Sequence, residues 1–434
     1  MAIGVLSLLG FQLVDSAFIA RLGTSPLAAQ SFTFPLTFLI IGVQVGIGIA
    51  IAALISRALG AGEALRARRL GTLVMALGTA VIGVLCVLLW VVQVPVFTAL
   101  GADAPTREMI HDYWAPQLLA AWGMAIVYFA YSLFRSHGNT RVPGSMMVIT
   151  SLLNLVLDPL LIFGVGGWDG LGLAGAAWAT VGAFVVAASV LGVRLVKLDW
   201  LAFTGLKQEW RASSGAFAGV AGPAMAGQLM PPLAAMLAIY LVAKLGESAV
   251  AAWGLAGRLE TVSLMVVLAL TMSLPPWLGR CYGAGDWNQI RRLLRLTLKV
   301  VVIWQLSLGI CMALLAPWLA QVLAGNPEVR SDLVVLIRFL LPSYAALGVC
   351  MLVVSAGNAL GWPLRAMLLS ATRLFICYLP CLWFGVTLFG NLAGLGLGAA
   401  FGNVLAGAAA LLMLQRSLAE FKYQETARDA TKVS

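Results

Sequence analysis

The sequence has 434 residues, 61% hydrophobic and 10% charged, with a net charge of +10 and a mean hydropathy of +0.97. Soluble domains carry about 25% charged residues, and a soluble core cannot absorb this much apolar surface, so the composition excludes a soluble domain and points to a lipid bilayer as solvent. The basic residues cluster at the ends of apolar runs and form no stripe with interleaved aromatics, which argues against nucleic acid as a partner.

Apolar runs long enough to span a bilayer fall near 2–22, 27–56, 70–97, 112–134, 143–164, 170–194, 213–243, 248–279, 293–323, 334–357, 364–388 and 392–415, twelve in all. The first has no basic start and carries Asp15 in its middle, so it reads as a membrane helix rather than a cleaved signal. Its abrupt start fits a trimmed or misassigned N-terminus. Runs longer than the bilayer is thick predict tilts, or kinks at prolines such as Pro35 and Pro275. The expected organisation is a six-helix lobe at 1–196, a basic cytoplasmic linker at 197–212, a second six-helix lobe at 213–415 and a cytoplasmic tail at 416–434. Nineteen of the 27 Lys and Arg flank the ends that follow even-numbered spans, and four the ends that follow odd-numbered ones. This bias predicts a multi-pass protein of the plasma (inner) membrane with both termini in the cytoplasm.

The chain repeats itself at an offset of 223 residues. Ala20-Arg21-Leu22-Gly23 matches Ala243-Lys244-Leu245-Gly246, Gly60-Ala61-Gly62 matches Gly283-Ala284-Gly285, and Gly175-Ala176-Ala177 matches Gly398-Ala399-Ala400. Near an offset of 219, Gly138-Asn139 matches Gly357-Asn358. Halves of six helices each predict a parallel repeat, a plan common among transporters with alternating access.

Three of the seventeen acidic residues fall within spans: Asp15, Asp158 and Glu260. Intramembrane carboxylates are costly and default to functional hypotheses. Asn154 and Asp158 are four apart and share a helix face. Pro159 donates no N–H and frees a carbonyl one turn back. With Asp15 and Thr180 they form a set of hard oxygen ligands, fit for Na⁺ or for a proton held between two carboxylates. The alternative is that both aspartates pair with separate polar neighbours and only fix packing. Glu260 and Arg258 are the candidates for a cavity in the second half. Being two apart they do not face each other. At the repeat offset Asp15 maps to Ala238, Asn154 to Cys377 and Asp158 to Cys381, so ion coupling is expected in the first half alone.

Catalytic chemistry finds no support. There are two histidines and six cysteines without a CxxC or Cys/His pattern, so neither zinc nor a disulfide framework is expected. The cysteines read as small buried hydrophobes. Gly60–Gly62 and Gly283–Gly285 lack a following Walker lysine and read as helix ends and tight turns. No cofactor beyond a coupling ion is expected.

Several segments resemble the multidrug and toxic compound extrusion (MATE) family. They are Val14 to Gly23, Arg57 to Gly62, Gly138 to Pro143, Asn154 to Pro159 with Gly172 to Thr180, Gly257 to Glu260, and Gly279 to Gly285. Asp15, Asn154 and Asp158 are most similar to the DinF-type branch. The resemblance implies an all-α membrane fold of twelve helices in two pseudo-symmetric bundles. It also implies antiport of amphiphilic, often cationic, organic molecules against H⁺ or Na⁺, with the family's cation site carried over to Asp15, Asn154, Asp158 and Thr180. The residues that usually precede the first-helix motif, a proline among them, are missing or altered. Spans 7 and 10 hold no acidic residue, which argues against the branch that binds Na⁺ in the second lobe. The alternative is a flippase of a related fold for lipid-linked oligosaccharides, for which Arg258, Lys299, Arg338 and Arg373 are the only cavity cations on offer. Expected partners are small organic substrates and membrane lipids, and the expected state is a monomer.

Overall fold

The computed structural model describes residues 4, 6, 7, 10, 14, 15, 18, 19 and 21–433, with side-chain surroundings for all but 24, 27, 28 and 421–433. Among the described residues every regular element is helical. Lipid offers no hydrogen bonds to a bare backbone, so each span must satisfy its own N–H and C=O groups. The first half runs through α1 (Thr24–Gly60), α2 (Ala64–Val91), α3 (Gln93–Ala99), α4 (Ala104–Ser136), α5 (Arg141–Phe163) and α6 (Leu173–Lys197). It is followed by α7 (Leu206–Ala243), α8 (Glu247–Ser263), α9 (Met265–Ala284), α10 (Trp287–Leu314), α11 (Ala316–Leu323), α12 (Pro327–Ala359) and α13 (Pro363–Ala371). A π-helical stretch Thr372–Tyr378 then leads into α14 (Leu379–Phe389) and α15 (Leu392–Val433).

Ten of the described helices, with the run Pro363–Phe389 as one, are long and apolar enough to cross a membrane, or eleven when α8 and α9 count as one bent span. The span expected at 2–22 falls mostly outside the described residues. With it, the count agrees with twelve. Val91 (72% exposed), Leu314 (77%) and Leu388 (75%) present large apolar side chains outward. In water such surface is a liability, whereas in lipid it is the solvated face. Among the described residues, α8 and α9 form one bent span with a break of 44° at Leu264. Pro275, where a kink was expected, lies inside the unbroken α9. The expectation of buried cysteines fails at Cys311, which is exposed.

The internal repeat is written into the helix ends. Both ends of α2 and α10, and both ends of α4 and α12, are displaced by 223 residues. Asp103 caps α4 by accepting from the Thr106 N–H at 3.0 Å, and its counterpart Asn326 caps α12 by accepting from the Glu328 N–H at 2.8 Å. The turn after α4 has Gly138 at φ 82° and that after α12 has Gly361 at φ 89°, a region that favours glycine. The Asn139 N–H bonds to the Phe134 carbonyl and the Trp362 N–H to that of Gly357. The partner of Gly138 is therefore Gly361, at the common offset, and the match to Gly357 at 219 is a coincidence of composition.

The chain divides into two compact units, Met1–Leu229 and Met230–Ser434. In the first, α4 is the central helix, packed by α1, α2 and α6, and it buries Trp114, Phe129 and Phe134. The first part of α7 lies on α1, where Gly42 and Gly46 open the way: a Cβ on Gly46 would stand 2.3 Å from Met225 Cγ. Small residues four apart let membrane helices approach closely. The segment between α6 and α7 is bound to the same unit. The Ala202 N–H donates to Thr72 Oγ1 (3.0 Å), Arg69 Nε to the Thr204 carbonyl (2.9 Å), and Trp200 stacks on His137. In the second unit α12 is central, packed by α8, α9, α10 and α15. Gly398 meets α14 so closely that a Cβ would lie 2.2 Å from the Cys381 carbonyl oxygen, and Gly175 repeats that 2.2 Å approach to Leu161 in the first unit.

Candidate functional site

In the first unit, α5 presents Asn154 and Asp158 one turn apart on its buried face, with 3% and 0% of their surface exposed. The Asn154 amide donates to the Thr150 carbonyl at 3.1 Å, which leaves its Oδ1 without a donor. Asp15 lies in a helical, half-buried position and is close enough to Asp158 for the two charges to act on each other. Asp15 Oδ1 and both Asp158 oxygens are buried and accept no hydrogen bond from any described residue. Two carboxylates together without donors are unstable as two bare anions, and a proton or a small cation between them relieves the repulsion. Thr180 donates its hydroxyl to the Ala176 carbonyl at 3.1 Å, within α6. No hydrogen bond joins it to the acids among the described residues, although its lone pairs remain available.

Sequence reasoning missed a second ring of polar groups around Asp15. Tyr113, 4% exposed on α4, lies within the field of Asp15, and its hydroxyl reaches the side chains of Gln30 and Thr33 on α1. Gln30 and Thr33 are three apart and so share a face of α1. That spacing was a readable signal, but it pointed at no particular partner.

The second unit holds a cavity of about 350 Å³ within its membrane-spanning part. Glu260 lines it, whereas Arg258 is exposed and is not among its lining residues. The cation in its wall is Arg373, accompanied by Trp253, Tyr344, Tyr378 and Asn403. Tyr344 Oη donates to Glu260 Oε2 at 2.9 Å, and Arg373 acts on Glu260 by charge without forming an ion pair. Asn403 Nδ2 donates to Ser343 Oγ at 3.0 Å. Arg373 and Tyr378 belong to the π-helical stretch, which ends just before Pro380. A proline has no N–H to give and its ring crowds the carbonyl four residues back, so the preceding turn widens. The Leu379 N–H accordingly reaches back five residues to the Leu374 carbonyl.

The model of the MatE family matches residues 1–160 and again 223–384, one match in each repeat. The chain belongs to the MATE family of transporters. Among its relatives, a FAD transporter of Shewanella oneidensis is 35% identical over 418 residues, covering 95% of this chain and 92% of that protein. A probable multidrug resistance protein NorM of Thermotoga maritima is 23% identical over 322 residues, covering 74% and 69%. The crystal structure of the Vibrio cholerae MATE transporter VcmN in the bent form has 43% identity and a TM-score of 0.93, covering 98% of this chain and 95% of that one.

Membership in the MATE family makes this an integral, multi-pass membrane protein whose work is transport of small molecules rather than catalysis. For a MATE transporter, the two halves differ in a telling way. The first unit buries a carboxylate pair, and the second places alanine at the position of Asp15 (Ala238) and asparagine at that of Thr180 (Asn403), both lining its cavity.

Proposed function

We propose that this transporter exports amphiphilic organic molecules in exchange for H⁺ or Na⁺, with the coupling cation held by Asp15 and Asp158. One observation carries the reading: two intramembrane carboxylates lie within reach of each other's charge, and their buried oxygens lack donors. Asn154 Oδ1 and the lone pairs of Thr180 are further hard oxygens fit for either cation. The cation relieves repulsion in the first unit, and that relief differs between inward and outward access. This difference is the free energy that coupling requires, since a ligand with equal affinity for both states shifts nothing. The Lys and Arg alternation supports cytoplasmic termini in the plasma (inner) membrane. The presence of both repeats on one chain supports a monomer.

A second reading of the cargo is favoured by the Shewanella oneidensis relative, a FAD transporter that matches nearly the full chain. On this reading a flavin nucleotide is exported by the same coupling. Both readings meet one experiment: proteoliposomes loaded with an amphiphilic dye or with FAD, under a pH gradient or a Na⁺ gradient imposed separately. Efflux should follow one gradient and vanish in Asp15→Asn. Cargo movement indifferent to both gradients, or untouched by that substitution, overturns the coupling, and the cargo that moves decides between the readings.

A further inference from the structure

We propose that the cavity of the second unit is a substrate subsite for an aromatic molecule bearing an anionic group, with Arg373 as the ligand of the anion.

The cavity has more donors than it uses. The Arg373 guanidinium makes no hydrogen bond and no ion pair with any described residue, and the Trp253 indole N–H and the Tyr378 hydroxyl donate to none either. The one carboxylate, Glu260, already accepts from Tyr344. Three unspent donors, one of them a full positive charge, face a single carboxylate, whose Oε2 already accepts from Tyr344. A guanidinium fork matches a carboxylate or phosphate in a bidentate manner. The three rings of Trp253, Tyr344 and Tyr378 supply faces for a planar partner. A volume of about 350 Å³ is within the range of small-molecule sites, roughly 300–1,000 Å³.

Three further observations set this apart from an ordinary structural arginine. Arg373 is ten residues into the span Pro363–Phe389, about 15 Å along the helix, too deep to reach the interface by extending its side chain. An intramembrane cation is costly, and the one carboxylate whose charge Arg373 feels, Glu260, is hydrogen-bonded to Tyr344 rather than to the guanidinium. Moreover, the π-helical stretch that carries Arg373 departs from the repeat. The matching segment of α5 is ordinary α-helix and has Thr150 in its place. The half that lost the carboxylate pair thus gained a cation, in a cavity lined by the counterparts of Asp15 and Thr180. The sign is opposite to that of the cationic cargo implied by the family resemblance. The inference takes from the proposed function only that the cargo is organic, and its test needs no gradient, so it stands or falls apart from the coupling.

The test is equilibrium binding to the purified full chain in lipid nanodiscs, read by fluorescence anisotropy. Fluorescein and rhodamine 6G share a xanthene ring system and carry opposite charge. Wild type should bind fluorescein roughly tenfold or more tightly than rhodamine 6G, the scale of a charge-assisted pair. Arg373→Gln should abolish that preference by weakening fluorescein alone. Gly257 lines the same cavity, and a Cβ there meets only open space. Gly257→Leu should therefore fill the cavity and weaken both dyes. Flavin mononucleotide should displace fluorescein at lower concentration than riboflavin, which lacks the phosphate. Tighter binding of rhodamine 6G to wild type, a preference that survives Arg373→Gln, fluorescein binding unchanged in Gly257→Leu, or equal displacement by the two flavins each overturns the proposal. The wild-type and Gly257→Leu measurements decide it even where Arg373→Gln fails to fold.

Discussion

Replacing Asp158 by asparagine separates a coupling role from a packing role, because the two predict opposite effects on stability. Asp158 is fully buried, and neither of its oxygens accepts a hydrogen bond. A carboxylate at a helix centre costs about 2.5–3.5 kcal/mol on insertion scales. Asn has the same shape, no charge, and an N–H₂ group that can donate to the unpartnered Asp15 Oδ1. A hydrogen bond to a charged group contributes about 1.5–3 kcal/mol. Asp158→Asn should therefore leave folding intact and stabilise the protein by roughly 1–3 kcal/mol, seen as a higher melting temperature in nanodiscs. Gradient-driven efflux should nevertheless fall to background. If both aspartates hold one cation, Asp15→Asn, Asp158→Asn and the double substitution should all reach the same floor, since residues acting as a unit are not additive. A melting temperature that drops, together with efflux that persists, would show that Asp158 only fixes packing and would refute the reasoning.

Gly46→Leu should destabilise the first unit by about 1–3 kcal/mol through overpacking against Met225. The yield of folded protein and its melting temperature check this, and an unchanged protein would mean that α7 does not need the close approach. Tyr344→Phe removes the hydroxyl that donates to Glu260 at 2.9 Å. It should lower stability by roughly 1–3 kcal/mol, the cost of leaving a buried acceptor unpaired, and Glu260→Gln on top should recover part of that loss. A reporter active only outside the cytoplasm, fused after Ser434, should be silent in cells. A strong signal would reverse the orientation read from the Lys and Arg alternation.

Much of the candidate site was legible because its rarest feature is local. A carboxylate in a long apolar run stands out with no knowledge of its neighbours, so Asp15, Asp158 and Glu260 were found directly. Asn154 followed from helical spacing. Arg135, in the last turn of α4, is 4% exposed, donates to Ser132 Oγ at 2.8 Å and lies over the Tyr128 ring, contacts that a count of charges does not reveal. Arg258, a cavity candidate beside Glu260, is two residues away and so takes another, exposed face, outside the cavity lining. Tyr113 did not stand out, because a tyrosine in a membrane helix is common and only its proximity to Asp15 singles it out; the Gln30–Thr33 spacing was readable but named no partner.

Hydropathy, the placement of Lys and Arg, and the 223-residue offset determined by themselves that the chain is membrane-bound, twofold repeated and charged at a few intramembrane points. These are properties of windows and spacings, and the bilayer reads them one helix at a time. The tertiary structure alone decided which of those points meet. It brought Asp15 to Asp158 from separate helices, and it gathered residues as far apart as Trp253 and Asn403 around one cavity. It also put a bend at Leu264, between α8 and α9. Such outcomes depend on packing between helices, where a small residue or a widened turn on one helix sets what its neighbour can present, and no single stretch of sequence contains both sides of that contact.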